Sequence, residues 1–220
     1  MTLDATTTAG APTAASGPLV LADISGYTAF LQSVASAHAD DAFADGQVPE
    51  AYGILTRLLD GIVGKLAPPY TLSKLEGDAV FAFATEHDDV PRGNDVLECF
   101  GDCYAGFRQQ VGSAKEIWPC WCDACANIEM LDLKFVLHAG SFVMQEIAGQ
   151  RELVGPEVVI AHRLLKATAP ELAGRSAFAL VTDAAAERLE IPLDDCIQVV
   201  ESHEHYAPID AHVFALNGQG

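Results

Sequence analysis

Two short apolar runs, each placing an aspartate at the edge of a glycine-containing turn, constrain this chain most. Asp23 lies in Leu19-Val-Leu-Ala-Asp-Ile-Ser-Gly-Tyr-Thr28, where an apolar strand leads through a glycine into a helix. Asp78 follows Gly77 and enters a second apolar run, Ala-Val-Phe81. Two carboxylates beside the exposed N–H groups of a helix are suited to hold divalent metals and phosphate groups. The pattern therefore indicates phosphate chemistry.

Apolar spacing predicts a mixed order of strands and helices. Strands are expected at 19–22, 70–75, 79–84, 131–138, 141–147, 152–154, 178–181, 197–200 and 212–216. Helices are expected from Thr28 onward and over 51–66, 95–111, 156–168 and 183–189, the last capped by Asp183. This β-α-β-β-α-β order with extra strands predicts an α+β, ferredoxin-like sheet with helices on one face.

Size and charge limit the classes of function. The 220 residues, half of them hydrophobic, suffice for one domain, expected over 18–216 with an insert near 113–130. Residues 1–17 are expected to form a disordered tail, and 217–220 a second short tail. The formal charge is −19, which disfavours binding of nucleic acid. The sequence also lacks an export signal and an apolar run long enough to span a membrane, so we predict a cytoplasmic protein.

The two aspartate motifs resemble those of class III nucleotidyl cyclase homology domains. In that family the first strand reads approximately Phe-x-Asp-Ile-x-Gly-Phe-Thr and the central hairpin Lys-x-x-Gly-Asp. The resemblance continues through Leu133-Lys-Phe-Val-Leu-His-Ala-Gly140, Leu153-Val-Gly155, Ala161-His-Arg163 and Ala179-Leu-Val-Thr-Asp183. The Cys-x-Cys-x-x-Cys insert resembles a bacterial family of cyclase homologues of undefined function. The resemblance implies a nucleotide-cyclase fold.

The resemblance also implies which residues bind metal. Asp23, Asp78 and the main-chain carbonyl of Ile24 would hold Mg²⁺ or Mn²⁺, so that a ribose 3′-hydroxyl attacks the α-phosphorus of a nucleoside triphosphate. The alternative is that Asp23 caps its helix and Asp78 serves its turn. The presence of both motifs favours metal binding.

Three further residues match family positions that contact substrate. Lys74 and Glu152 match the pair that contacts the base, and a lysine donor with a carboxylate acceptor favours adenine, hence ATP. Arg163 matches the catalytic arginine, although Val159 occupies the place of an asparagine that would donate a hydrogen bond to the ribose. The family's C-terminal phosphate-binding lysine has no evident counterpart. As alternatives, Lys74 is a solvated strand residue and Glu152 pairs with Arg151 or another neighbouring cation.

Three closely spaced cysteines form a second candidate metal site. Cys120, Cys122 and Cys125 could supply three thiolates to Zn²⁺, with Cys99, Cys103 or a nearby histidine as the fourth ligand. The alternative is apolar packing of free thiols in a reducing compartment.

Two functions follow as hypotheses. The first is a cyclase-like protein that binds a purine nucleoside triphosphate with divalent metals and forms cyclic AMP from ATP, its sites shared between two subunits of a head-to-tail homodimer. The second is a catalytically silent homologue that acts as a dimeric ligand-binding or regulatory module with structural zinc. Val159 and the cysteine insert favour the second.

Overall fold

The computed structural model describes residues 11–39, 48–117, 120, 122–167 and 177–216. The strands in these residues are β1 Thr13–Ser25, β2 Thr71–Glu76, β3 Ala79–Phe83, β4 Asp132–Ile147, β5 Gln150–Val154, β6 Phe178–Thr182, β7 Ile197–Glu201 and β8 Ile209–Ala215. The helices are α1 Tyr27–Ala37, α2 Glu50–Leu66, α3 Asn94–Ile117, α4 Asp123–Ala126, α5 Pro156–Leu164 and α6 Asp183–Leu189, with a 3₁₀ turn at Asn127–Met130.

The strands form one sheet in the order β2-β3-β1-β4-β6-β8-β7, and β5 pairs with β4 outside this path. Its first four strands have the order of a ferredoxin-like βαββαβ unit. β1 is antiparallel to both β3 and β4, and β4 is parallel to β6. The predicted core topology is therefore present, with β6, β8 and β7 extending one side.

The long central pair β1 and β4 differs from the prediction in two ways. β1 begins at Thr13 and pairs with β4 over its whole length, from Thr13 opposite Met144 to Ser25 opposite Asp132. Residues 13–17 are thus part of the sheet, and the expected disordered tail is wrong for them. β4 is also continuous where we expected two strands, because the early part of β1 pairs with its second half. Residues 1–10 and 217–220 lie outside the described residues.

Helices pack on both faces of the sheet, not on one as predicted. Residues of α1, α2, α3 and α6 join one apolar cluster, in which Phe100 stacks on Phe135 with ring centroids 4.6 Å apart. α5 buries Val158, Ala161 and Leu164 in a second cluster with alternate residues of β1 and β3. Because the strands have apolar side chains on both faces, each face requires its own cover.

Two helix ends and one helix cap differ from the predicted ones. α5 ends at Leu164, whereas a helix to 168 was predicted. α3 continues to Ile117, through the start of the expected insert, so the described part of the insert consists mainly of α4 and the 3₁₀ turn. α6 is capped by Thr182 and not by Asp183, because the Thr182 hydroxyl accepts the Ala185 N–H at 3.3 Å. Among the helices in the described residues, none has the length and apolar character needed to cross a membrane.

Candidate functional site

The two aspartates that the sequence singled out lie beside each other. Leu19 and Leu21 of β1 contribute to the cluster under α5, so strand alternation places the Asp23 side chain on that same face. Asp78 follows Gly77, whose positive φ of 67° forms the β2–β3 turn. The Ile24 N–H donates to the Asp78 carbonyl oxygen at 3.2 Å and holds this turn against β1. The structure thus brings Asp23, Ile24 and Asp78 together.

The electrostatics of this carboxylate pair leave a surplus of negative charge. Lys134 of β4 lies opposite Asp23 in register, and its Nζ is 3.1 Å from Asp23 Oδ2. Burial, and then the charge of Asp23, raise the pKa of Asp78, and Lys134 opposes this only in part. Two carboxylates that share one lysine are suited to an additional cation, and hard oxygen ligands suit Mg²⁺ or Mn²⁺. The residues therefore fit the predicted metal.

The predicted base-contacting pair also forms within one chain. Lys74 Nζ lies 2.6 Å from Glu152 Oε2, and this contact joins β2 to β5. The same nitrogen lies 3.4 Å from Glu76 Oε1 of β2. Its hydrogen bond to Glu152 raises the pKa of Lys74, although burial acts in the opposite direction. Glu152 therefore pairs with Lys74 and not with its neighbour Arg151 as the alternative reading allowed.

Sequence reasoning missed two members of this cluster, Glu76 and His162. His162 of α5 places Nε2 2.9 Å from Glu76 Oε2 and Nδ1 2.7 Å from the Val158 carbonyl oxygen. Its ring and that of Phe81 pack edge to face, with centroids 4.8 Å apart. Alternation in β2 puts Lys74 and Glu76 on one face, a signal that could have identified Glu76. The contact with His162 depends on the packing of α5.

The α5 helix carries Arg163 and Val159, the two residues that the resemblance matched to the catalytic arginine and the ribose-binding asparagine. Arg163 lies over the Tyr206 ring at 5.3 Å from its centroid, and its Nη1 donates to the Glu204 carbonyl oxygen at 3.4 Å. The Val159 side chain is 43% exposed and apolar, one turn before Arg163. The arginine is thus docked on the β7–β8 loop in the isolated chain. Val159 offers no hydrogen bond at the position where the family has its asparagine.

The three cysteines of the insert converge on one histidine. His38 Nε2 lies 3.6 Å from Cys120 Sγ, 3.4 Å from Cys122 Sγ and 3.5 Å from Cys125 Sγ. Among the described residues these four make up the one group of His, Cys, Asp and Glu with the spacing of metal ligands. Of the predicted fourth ligands, a nearby histidine is the one present, whereas Cys103 is buried in the main core. The cluster could bind a metal.

The thiols of this cluster differ in acidity. Burial opposes ionisation of Cys122, but hydrogen bonds from the Cys125 N–H and from neighbouring groups outweigh it and lower its pKa to about 7. Burial and the neighbouring thiols raise the pKa of Cys125. One thiolate at neutral pH is therefore stabilised by its surroundings.

Known structures with the same fold are nucleotidyl cyclase domains. The adenylyl cyclase CyaB from P. aeruginosa superimposes with a TM-score of 0.58 at 15% identity, covering 92% of this chain and 95% of that one. The guanylyl cyclase Cya2 gives 0.61 at 13%, covering 96% of each. The catalytic core of a rhodopsin-guanylyl cyclase with converted specificity, in complex with ATPαS, gives 0.54 at 13%, covering 92% and 97%. These matches confirm the α+β, ferredoxin-like nucleotide-cyclase fold.

The chain belongs to the family described as "Protein of unknown function (DUF2652)", whose model matches residues 55–172, just over half of its length. It is also similar to "Uncharacterized protein Rv2561/Rv2562" of Mycobacterium tuberculosis, at 33% identity over 139 residues. That match covers 62% of this chain and 60% of the mycobacterial protein. The chain thus matches about three fifths of this relative's length. As predicted, it combines the fold of nucleotidyl cyclase domains with membership of a family of undefined function.

Proposed function

We propose that this member of the DUF2652 family binds a purine nucleoside triphosphate, preferably ATP, together with Mg²⁺ or Mn²⁺. The observation that carries the proposal is the adjacency of Asp23 and Asp78, held together by the Ile24–Asp78 backbone hydrogen bond. Their surplus charge, with the raised pKa of Asp78, is what a divalent cation would neutralise. The fold, shared with adenylyl and guanylyl cyclases, supports the same conclusion.

Each remaining site residue has a role in this proposal. Asp23, Asp78 and the Ile24 carbonyl would hold the metal, which when bound polarises the ribose 3′-hydroxyl and offsets phosphate charge. Lys74 donates to a ring nitrogen of adenine, and Glu152 accepts from its exocyclic amine. Arg163 contacts the phosphates after it leaves Tyr206.

We further propose a head-to-tail homodimer in which the carboxylates of one chain face Lys74, Glu152 and Arg163 of its partner. Exposed apolar side chains on the elements that carry these three residues support an interface. Val154 of β5 lies two residues from Glu152, on the same face of the strand, and is 36% exposed, and Val159 of α5 lies one turn before Arg163 and is 43% exposed. A surface that combines such side chains with binding residues is typical of a protein contact.

Turnover to cyclic AMP is a further step of the proposal, and three features of the site favour the alternative that the protein is a silent homologue. Val159 supplies no donor, Arg163 is engaged by Tyr206, and Lys74 is engaged by two carboxylates. The second candidate is therefore a silent homologue that uses nucleotide binding to regulate a partner. We also propose a cytoplasmic location, because the structure has six cysteines and none of them forms a disulfide.

A titration of the purified chain with a non-hydrolysable ATP analogue, with and without Mn²⁺, tests the proposal. We expect binding that requires Mn²⁺, and a parallel assay of ATP conversion separates cyclase from silent homologue. Binding without product would select the second candidate. No binding of ATP or GTP analogues at millimolar concentration, with Mn²⁺ present, would overturn both.

The thiol cluster takes no part in this chemistry. Asp23 lies before the N-terminal end of α1 and His38 at its C-terminal end. The 11 residues of α1 separate the two by about 16 Å. The zinc predicted for Cys120, Cys122 and Cys125 is therefore a separate proposal.

A further inference from the structure

We propose that His38, Cys120, Cys122 and Cys125 form a closed, structural Zn²⁺ site, and that this metal holds α1 in place on the sheet. The proposal goes beyond nucleotide binding and does not depend on it. It makes His38, which lies in a part of the sequence remote from the cysteines, a metal ligand.

The distances within the cluster are those of a tetrahedral zinc site. Zn–S bonds of about 2.3 Å and Zn–N bonds of about 2.0–2.1 Å place the nitrogen about 3.6 Å from each sulfur in a tetrahedron. The three observed distances from His38 Nε2 to sulfur are 3.6, 3.4 and 3.5 Å. All four ligand atoms lie within 4.8 Å of one another. One ion at the centre would reach all four.

Hydrogen bonding alone does not explain this arrangement. A ring nitrogen of histidine has one N–H or one lone pair, so Nε2 can form one good hydrogen bond. Here three sulfur atoms surround it at nearly equal distances. A shared cation accounts for all three contacts, because it binds each sulfur and the nitrogen directly.

The ligand set selects zinc and a structural role. Three thiolates and one imidazole are softer ligands than Mg²⁺ or Ca²⁺ prefers, and they fill the four positions of tetrahedral zinc. Catalytic zinc sites keep one position for water, which this set does not. The Cys125 N–H also points at Cys122 Sγ at 3.4 Å, and such amide contacts stabilise a thiolate ligand.

The metal site contacts one end of α1, and the segment that follows its cysteines contacts the other end. His38 is the residue at the C-terminal end of α1, so the ion would join that end to α4. At the other end, Gly26 lies against Met130 and Leu131, and a Cβ added to it would lie 3.4 Å from the Met130 carbonyl oxygen. The segment from the cysteines to Leu131 therefore runs along α1 and contacts it at both ends.

This segment is anchored in turn to α3 and then enters β4. Arg108 of α3 donates to the carbonyl oxygens of Leu131 at 2.7 Å and of Glu129 at 3.4 Å, and Lys115 pairs with Glu129 at 2.7 Å. β4 follows directly, with Lys134 opposite Asp23. Loss of the metal should therefore loosen α1 and the turn that follows Asp23.

Metal content and affinity test the ligand assignment. The wild-type chain, purified without added metal, should contain about one zinc per chain, and Cys122→Ser should contain little. His38→Ala should bind zinc at least about tenfold more weakly in competition with a chromophoric chelator. His38→Cys should retain zinc, because a fourth thiolate replaces the imidazole. His87→Ala, at a histidine with an 86% exposed side chain, and Cys196→Ser are the controls.

Amide hydrogen exchange tests the link to α1. Removal of zinc by a chelator should speed exchange over 23–37 by at least about tenfold, and leave α6 unchanged. A metal-free wild-type chain that does not take up zinc, or His38→Ala with wild-type zinc affinity, would overturn the site. Unchanged exchange in α1 after zinc loss would overturn its stabilising role. Neither readout involves nucleotide, so failure of the nucleotide proposal leaves both results interpretable.

Discussion

Two charged clusters on the same sheet face differ in how their charges are balanced. One is the carboxylate pair of Asp23 and Asp78, and the other, here called the α5 end, consists of Lys74, Glu76 and Glu152 beside α5. At the first, Asp23 and Asp78 share one lysine, Lys134, and the pKa of Asp78 is raised. At the second, Lys74 is paired with both Glu152 and Glu76. Each lysine thus faces two carboxylates, but the second cluster also contains His162, whose Nε2 lies 2.9 Å from Glu76 Oε2, and its lysine is held by direct contacts to both carboxylates.

This difference separates binding from turnover. The carboxylates would gain from a metal ion because, among the residues that the structure describes, Lys134 offsets their charge only in part. To contact a nucleotide, Lys74 and Arg163 would each have to give up an existing contact within the chain. The free energy lost with that contact would offset part of the free energy of nucleotide binding. If the proposed function holds, we therefore expect strong metal dependence and a modest contribution from the base and phosphate contacts.

The largest effect is expected at the carboxylates. Asp23→Asn or Asp78→Asn should weaken Mn²⁺-dependent binding of an ATP analogue by about a hundredfold or more, on the order of 3 kcal/mol, because each removes a direct metal ligand. Lys74→Ala should weaken it only about tenfold, since Lys74 leaves Glu152 to bind the base. Calorimetric titration in Mn²⁺ measures both.

Asp60→Asn, at an exposed position on α2, is the control and should bind as the wild type does. Equal losses for Lys74→Ala and Asp78→Asn would remove the proposed contrast between the two ends. Full binding by both aspartate variants would remove the metal assignment.

The second effect concerns turnover on α5. Val159→Asn should raise the rate of cyclic AMP formation in Mn²⁺, by up to about a hundredfold, because it restores a hydrogen-bond donor one turn before Arg163. Val159 is 43% exposed, so the change should not disturb the core. Val200→Asn, at another exposed valine, is the matched control. A high wild-type rate that falls on Val159→Asn would show that the family alignment is wrong on this helix.

Local patterns in the sequence were sufficient for the parts of the site that lie within one motif. Asp23 and Asp78 each occupy a strand-turn unit whose geometry depends on nearby residues, notably Gly77 with its positive φ. The fold class also followed from the order of strands and helices. The prediction that helices cover a single face was wrong, because β1 and β3 have apolar side chains on both faces of the sheet.

Partners from distant segments could not be predicted. Lys134 reaches Asp23 because of the β1–β4 register, and register is not visible in either strand alone. His38 reaches Cys120 across 82 residues, and His162 reaches Glu76 only after α5 has packed on the sheet. In each case the residue type was unremarkable in its own segment. The tertiary contact gives it a role.

A third prediction concerns the choice of base at the α5 end. A lysine donor with a carboxylate acceptor suits adenine, whereas a carboxylate with a sulfur-bearing partner suits guanine. Lys74→Glu combined with Glu152→Cys should therefore shift the ratio of ATP-analogue to GTP-analogue affinity by about tenfold toward GTP. Lys65→Glu, at an exposed lysine of α2, controls for the change in charge. An unchanged ratio would place the base elsewhere.

The smallest effect is on stability, and it should change sign with metal. The folded-state pKa of Asp78 is raised above its ordinary value of 3.8, so the fold binds this proton more tightly than the unfolded chain does. Stability from this group is present at low pH and is lost as pH rises through the folded pKa.

In chelator at pH 7, Asp78→Asn should therefore be more stable than the wild type, by at most about 1 kcal/mol because the group is partly solvated. The difference should vanish below about pH 2.5, more than one unit under the ordinary pKa of 3.8, where the aspartate is protonated in both states. Saturating Mn²⁺ should reverse the order, because the wild-type chain binds the ion and the variant does not. Thermal melts under the three conditions measure this. A wild-type chain more stable than Asp78→Asn in chelator at neutral pH would mean that Lys134 already balances both carboxylates and that no surplus charge awaits a metal.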